Sequence, residues 1–153
     1  MEAHDAPRLA IKQIEIGPMA NYVYVIADLE ERKAMLVDPA WDIGALLAEL
    51  DKEDLELTGA LVTHYHPDHI GGDFMGHHIE GLTELLAARG CKLYVHKAEA
   101  PYVKQQLGLS FTDLVAVDGE TTLEVGRIPL RLLHTPGHTP GSQCFLIDGN
   151  LVS

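Results

Sequence analysis

Four side chains able to bind a metal ion fall within six positions of this chain: His64, His66, Asp68 and His69, in the run Thr63-His-Tyr-His-Pro-Asp-His-Ile-Gly-Gly72. The apolar run Ala60-Leu-Val62 just before them reads as the end of a buried strand. In extended backbone, positions i and i+2 project to the same side, so His64 and His66 can reach one cation without strain. Imidazole suits zinc, iron and similar borderline metals. Pro67 fixes φ where the chain must turn to bring Asp68 and His69 round. Gly71 and Gly72 let the backbone pass close to the site. A lone histidine on a loop is more often a solvated residue or a helix cap. Four ligand-type residues at this spacing outweigh that reading.

A catalytic zinc takes about three protein ligands and keeps a position for water. The third imidazole must come from elsewhere in the chain, and His138 is the best placed. It lies between Pro136-Gly137 and Pro140-Gly141, two turn-forming pairs that hold a short loop. The other histidines carry less. His77-His78 follow Gly76 in a glycine-punctuated stretch and read as exposed loop residues. His96 and His134 read as structural neighbours of the site, and His4 lies in a frayed terminus.

The elements that must position these residues are legible from periodicity. Residues 9–16, 21–27 and 33–37 read as three strands, the last ending at Asp38-Pro39. Apolar residues at 43, 46, 47 and 50 form the stripe of an amphipathic helix, with Asp42 as its N-cap. Residues 57–62 read as a buried strand that delivers the chain to His64. Residues 73–81 read as irregular. Helices follow at 82–89 and 98–107, and strands at 92–96, 115–117, 121–125, 128–133, 143–147 and 151–152. Strands before and after interleaved helices imply a layered α/β or α+β fold.

Length and charge narrow the partners. A chain of 153 residues reads as one domain, with a core of useful size. The net charge of −12 would repel phosphate backbones, so no nucleic acid partner is expected. No apolar run approaches a membrane span, and the acidic N-terminus lacks a signal-peptide core, so a cytoplasmic protein with no membrane partner is expected. Cys91 and Cys144 sit in apolar segments and read as buried, reduced thiols.

The pattern His-x-His-x-Asp-His at 64–69, then Gly-Gly, then Thr-Pro-Gly-His-Thr-Pro-Gly-Ser at 135–142, resembles the metallo-β-lactamase superfamily, and within it the glyoxalase II-like hydrolases. The Asn21-Tyr-Val-Tyr strand and the Val37-Asp38-Pro39 turn are similar as well, so the resemblance covers nearly the whole chain from about residue 10. It implies an α+β fold, the four-layer αββα sandwich, with a metal site at the edge between two sheets. It implies that His64, His66 and His138 bind a first metal, that Asp68 and His69 contribute to a second, and that Asp38 supports the ligand loop. The family also carries a bridging Asp after the strand that here runs to Ser153, and a later His. Neither lies within these 153 residues, so residues 1–153 are expected to form a single such domain with the C-terminal part of its second half missing.

The resemblance implies a metal-dependent hydrolase. A metal-bound hydroxide would attack a thioester or small acyl ester, and Asp68 would accept or steer its proton. One or two Zn2+ ions are expected, with Fe or Mn as substitutes, and a small-molecule acyl substrate. Two other readings stay open: a mononuclear iron dioxygenase acting on sulfur substrates, and an inactive metal-binding fragment. Missing strands would leave an unpaired sheet edge and favour self-association.

Overall fold

The computed structural model describes residues 6–110 and 112–153; His4 lies outside them. The chain begins with a hairpin, β1 (Leu9–Ile16) against β2 (Asn21–Asp28), followed by β3 (Lys33–Val37). Helix α1 (Ile43–Lys52) then crosses to β4 (Glu56–Leu61). Asp42 accepts the Ala45 N–H and so caps α1, while Ile43, Leu46, Leu47 and Leu50 form its buried stripe, the face that the sequence spacing marks. A one-turn helix α2 (Pro67–Ile70) carries the chain into a small hairpin, β5 (Gly72–Phe74) and β6 (His77–Ile79). Next come α3 (Leu82–Ala88), β7 (Lys92–His96), α4 (Ala100–Leu107) and β8 (Leu114–Val117). The meander β9 (Thr122–Val125), β10 (Ile128–His134), β11 (Gln143–Ile147) and β12 (Asn150–Val152) completes the order.

The first sheet runs β1-β2-β3-β4-β7-β8 and the second β12-β11-β10-β9. One face of the first sheet packs on the helices through Leu36, Leu46, Leu50, Leu82, Leu85, Leu93 and Val103. Its other face, through Ile26, Met35, Val37 and Leu61, meets Val125, Leu130, Leu132, Phe145 and Ile147 of the second sheet. Alternate residues of β10 are buried, as a strand with one face on a core requires. No helical residue joins the inter-sheet core among the described residues, so three layers of the expected four are present, helices, sheet and sheet.

Two features of this frame matter for the site. The strands β3 and β4 pair in parallel, with Val37 beside Leu61, and Asp38 N–H continues the ladder onto Leu61 O at 2.9 Å. Asp38, directly after β3, and Thr63, two residues after β4, therefore emerge close together. The sheets are also tied at the far end by Asp28, which is fully buried at the end of β2. Its Oδ1 accepts the backbone N–H groups of Arg8 (3.1 Å), Glu30 (3.0 Å) and Glu31 (3.4 Å), and its Oδ2 that of Arg127 (3.0 Å) in the β9–β10 turn.

The structure departs from the sequence expectations in four places. Residues 72–79 form the β5–β6 hairpin where an irregular segment was expected, because Gly76 takes a positive φ that closes a tight turn. Residues 67–70 make a helical turn instead of a plain bend. Helix α4 starts at Ala100 and not Ala98: Pro101 has no N–H to bond Lys97, and the first helical donors, Tyr102 and Val103, both reach Glu99 O. Both cysteines are free thiols, yet they are half-buried instead of buried. Burial still pushes the Cys91 thiol up to about 11. No described helix is long and apolar enough to cross a membrane.

Candidate metal centre

The ligand run leaves β4 and crosses the upper edge of both sheets. Gly71 (φ 89°) lets it lie directly against the start of α3, where a Cβ on Gly71 would sit 2.7 Å from Gly81 Cα. His138 arrives from the second sheet, on the loop between β10 and β11. That loop is closed by Thr135 N–H on Ser142 O at 2.8 Å.

The loops bring three imidazoles together. One nitrogen each of His64, His66 and His138 lie within 4.8 Å of one another. His138 Nε2 faces His66 Nδ1 at 3.1 Å across 72 residues of chain. A second convergent group, Asp38, His64 and His69, meets the same limit. Asp68 lies outside both groups: its Oδ2 accepts Asn21 Nδ2 at 3.0 Å and stands 3.3 Å from His69 Nε2. His77 and His78 are exposed on β6, and His78 pairs with Asp73 and Glu84. His96 and His134 stack on each other with ring centres 4.0 Å apart and belong to neither convergent group.

The hydrogen bonds decide the imidazole tautomers. Asp38 Oδ1 accepts the Thr63 N–H at 2.8 Å, and Oδ2 accepts the Thr63 hydroxyl at 2.5 Å. That hydroxyl has one proton and has given it to the carboxylate, so at 2.8 Å it must accept from His64 Nδ1. His64 is thereby held with Nδ1 protonated and Nε2 carrying a lone pair. Asp38 Oδ2 also accepts from His69 Nδ1 at 2.8 Å, which turns His69 Nε2 toward Asp68. Asp38 lies within ligand range of His64 and His69, and three donors share its two oxygens, so it fixes the Thr63 and His69 side chains. It does this from a positive φ of 50°, a strained conformation for a side-chain-bearing residue.

These residues fit a metal ion. His64 Nε2 is buried and has no hydrogen-bond partner among the described residues. A buried polar atom left unpaired is costly, and a lone pair on a ring that converges with two further imidazoles is satisfied by a cation. Burial, with the neighbouring His69 charge, pushes His64 down to about 4, so it is neutral at pH 7, as a metal ligand must be. Burial also lowers His69, but the Asp38 carboxylate outweighs it and leaves His69 raised.

Sequence reasoning missed the residue that clamps the two loops together. Glu99, buried ahead of α4, accepts the Tyr65 N–H (3.2 Å) and the Thr139 hydroxyl (2.6 Å) on Oε1, and the Gly141 N–H (3.1 Å) on Oε2. Tyr65 lies between His64 and His66, and Thr139 and Gly141 directly follow His138 in its turn. In sequence Glu99 sits before Ala-Pro and looks like an ordinary solvated acid at a helix start. Gln143 adds a second tie, its N–H on Thr63 O at 3.0 Å and its Nε2 on Val62 O at 2.8 Å.

Comparison with known proteins bears on the family and the fold. The sequence model of the metallo-β-lactamase superfamily matches residues 16–75, a span that contains Asn21, Asp38 and the whole ligand run. Over most of its length the chain is similar to members of the metallo-β-lactamase superfamily. It is 30% identical over 131 residues to a probable polyketide biosynthesis zinc-dependent hydrolase of Bacillus subtilis, covering 86% of this chain and 52% of that protein. It is 32% identical to a hydroxyacylglutathione hydrolase of Rhodopseudomonas palustris, covering 84% of this chain and 44% of the relative. In structure it is similar to a metallo-β-lactamase from Staphylococcus aureus, with a TM-score of 0.72 and 27% identity over 92% of this chain and 37% of the other. The chain spans about half the length of the curated relatives it matches. The αββα superfamily fold accounts for both sheets and for the helical layer over the first.

Proposed function

We propose that this chain carries the metal site of a hydrolase acting on a thioester or other small acyl ester, with zinc as the metal. The observation that supports this most is the buried, unpartnered His64 Nε2, fixed by the Asp38–Thr63 relay on a ring that converges with His66 and His138. The names of relatives supply the reaction class: a zinc-dependent hydrolase, and a hydrolase of a glutathione thioester.

In this reading His64, His66 and His138 hold one ion, and His69 with Asp68 contributes to a second. The metal, when bound, supplies Lewis acidity to the acyl carbonyl and makes a nearby water more acidic. The protein residues do the rest. Asn21 Nδ2 donates to Asp68 Oδ2 and, at 3.3 Å, to the Asp68 backbone oxygen, so the carboxylate is held facing the site. Its Oδ1 receives no hydrogen bond from the described residues and takes the proton of the attacking water. The same proton passes to the departing sulfur as the C–S bond breaks. The net change adds one water across that bond and releases a carboxylic acid and a thiol.

Elemental analysis of the purified chain, with thioesterase and oxygen-uptake assays on the same preparation, tests this. Zinc at one or two equivalents with thioester turnover is the expected result. One iron with oxygen uptake would replace the hydrolase by a dioxygenase. Full metal with neither activity would reduce the chain to a metal-binding unit.

A further inference from the structure

Three exposed large apolar side chains gather in one place: Met19 (52% exposed), Phe74 (39%) and Met75 (83%). With Pro18, Trp41 and Ile79 they line a groove of about 410 Å³, within the size range of ligand pockets. Grouped apolar residues on a water-facing surface mark a site of contact, where a scattered few would not.

The groove is built from three segments, each joined directly to the metal centre. Met19 is two residues before Asn21, which holds Asp68. Trp41 is three residues after Asp38. Phe74 and Met75 stand on the hairpin that springs from His69 through Gly71 and Gly72. Met19 also borders the cleft lined by Asn21, Asp38, Asp68 and His69, so the two hollows share a wall. The Trp41 N–H on Glu80 O at 2.9 Å ties the Trp41 segment to the end of the hairpin.

Trp41 is held there at a cost. Its φ is 75°, a genuine outlier for a bulky residue. Its ring takes the space over Gly17, where a Cβ would lie 2.5 Å from Trp41 Cγ, and its indole N–H is buried without an acceptor among the described residues. The ring thereby forms one wall of the groove, and it belongs to neither hydrophobic core. No lysine or arginine lines the groove; its polar lining residues are His77 and His78, and His78 already faces Asp73 and Glu84. The lining therefore suits an uncharged aliphatic chain and not an anionic group.

We infer that this groove receives the acyl chain of an aliphatic acyl thioester whose carbonyl lies at the histidine cluster. The inference rests on the hydrolase reading above. The groove adjoins, through Met19, the cleft that Asp68 and His69 line, so the chain attached to a carbonyl in that cleft is the group that fills it.

Trp41 is the only tryptophan in the sequence, so its fluorescence reports the groove without any need for turnover. The zinc-loaded chain is titrated with 2-oxoalkyl N-acetylcysteamine thioethers of increasing alkyl length, which cannot be hydrolysed at sulfur. Binding is expected to tighten about fourfold per added methylene until the groove is full. Met19→Ser and Met75→Ser should flatten that dependence with zinc content and far-UV circular dichroism unchanged, since both side chains are exposed. Affinity independent of chain length, or a length dependence that survives in both variants, overturns the inference. A fluorescence change that tracks protein concentration together with a dimer mass by light scattering gives the groove to a second copy and also overturns it. Length-dependent binding with no turnover of any thioester retires the hydrolase reading instead, and leaves the groove as an aliphatic-chain site.

Discussion

Glu99 accepts a hydrogen bond of 2.6 Å from the hydroxyl of Thr139, a residue 40 positions further along the chain. With the Tyr65 and Gly141 N–H groups on the same carboxylate, this contact joins the loop of His64 and His66 to the loop of His138. The Glu99→Gln substitution keeps the shape but sets an amide N–H against one of these donors. Zinc affinity, measured by competition with a chromophoric chelator, is expected to fall about 10- to 100-fold, as when the partners of metal ligands are removed. Cobalt loaded into the variant should show an altered d–d spectrum. An unchanged affinity and spectrum would make Glu99 a folding residue only.

The Asp38–Thr63–His64 relay makes a sharper claim, because it turns on one proton. Thr63→Val removes the hydroxyl that accepts from His64 Nδ1 and donates to Asp38 Oδ2. This substitution should cost about tenfold or more in zinc affinity, and Thr63→Ser should retain the affinity of the parent chain. The two variants share a backbone N–H on Asp38 Oδ1, so equal affinities would show that the hydroxyl does not set the tautomer.

His64→Ala and His138→Ala each remove one arm of the convergent triad. Both should purify with little zinc and show no hydrolysis. His77→Ala, on exposed β6 and outside the triad, should keep its zinc. Metal retained at full occupancy in either triad variant would refute the ligand assignment.

Asp28 links stability to pH at the end of the molecule away from the metal. Burial raises its carboxyl, but four backbone N–H donors outweigh that and hold it below the usual aspartate value. A carboxyl whose folded pKa is depressed stabilises the fold above its unfolded pKa of about 3.9, and that contribution is lost as pH falls through the lower folded value. Urea melts should therefore show wild-type stability dropping below about pH 4. Asp28→Asn should be less stable by ~1.5–3 kcal/mol at pH 7, with a shallower loss in the acid range. Parallel curves for the two proteins over that range would remove Asp28 as the cause.

Local chemistry determined a good deal of this protein from the sequence alone. Period-two spacing puts His64 and His66 on one side of an extended backbone, and the 43-46-47-50 stripe sets the buried face of α1, because both depend only on residues close in the chain. The histidine loop and the turn of His138 could be singled out for the same reason, and Asp38 through the resemblance of its turn to the metallo-β-lactamase superfamily. The β5–β6 hairpin could not, since its strands are three residues each and are punctuated by glycine, leaving no period to read. Contacts between distant segments were decided only by the tertiary structure. The parallel register of β3 with β4 sets Asp38 beside Thr63, the meeting of the two sheets brings His138 Nε2 to His66, and the approach of α4 places Glu99 between them. Such pairings depend on how whole strands and helices pack. A carboxylate such as Glu99 looks the same in sequence whether it ends up in water or clamping two loops.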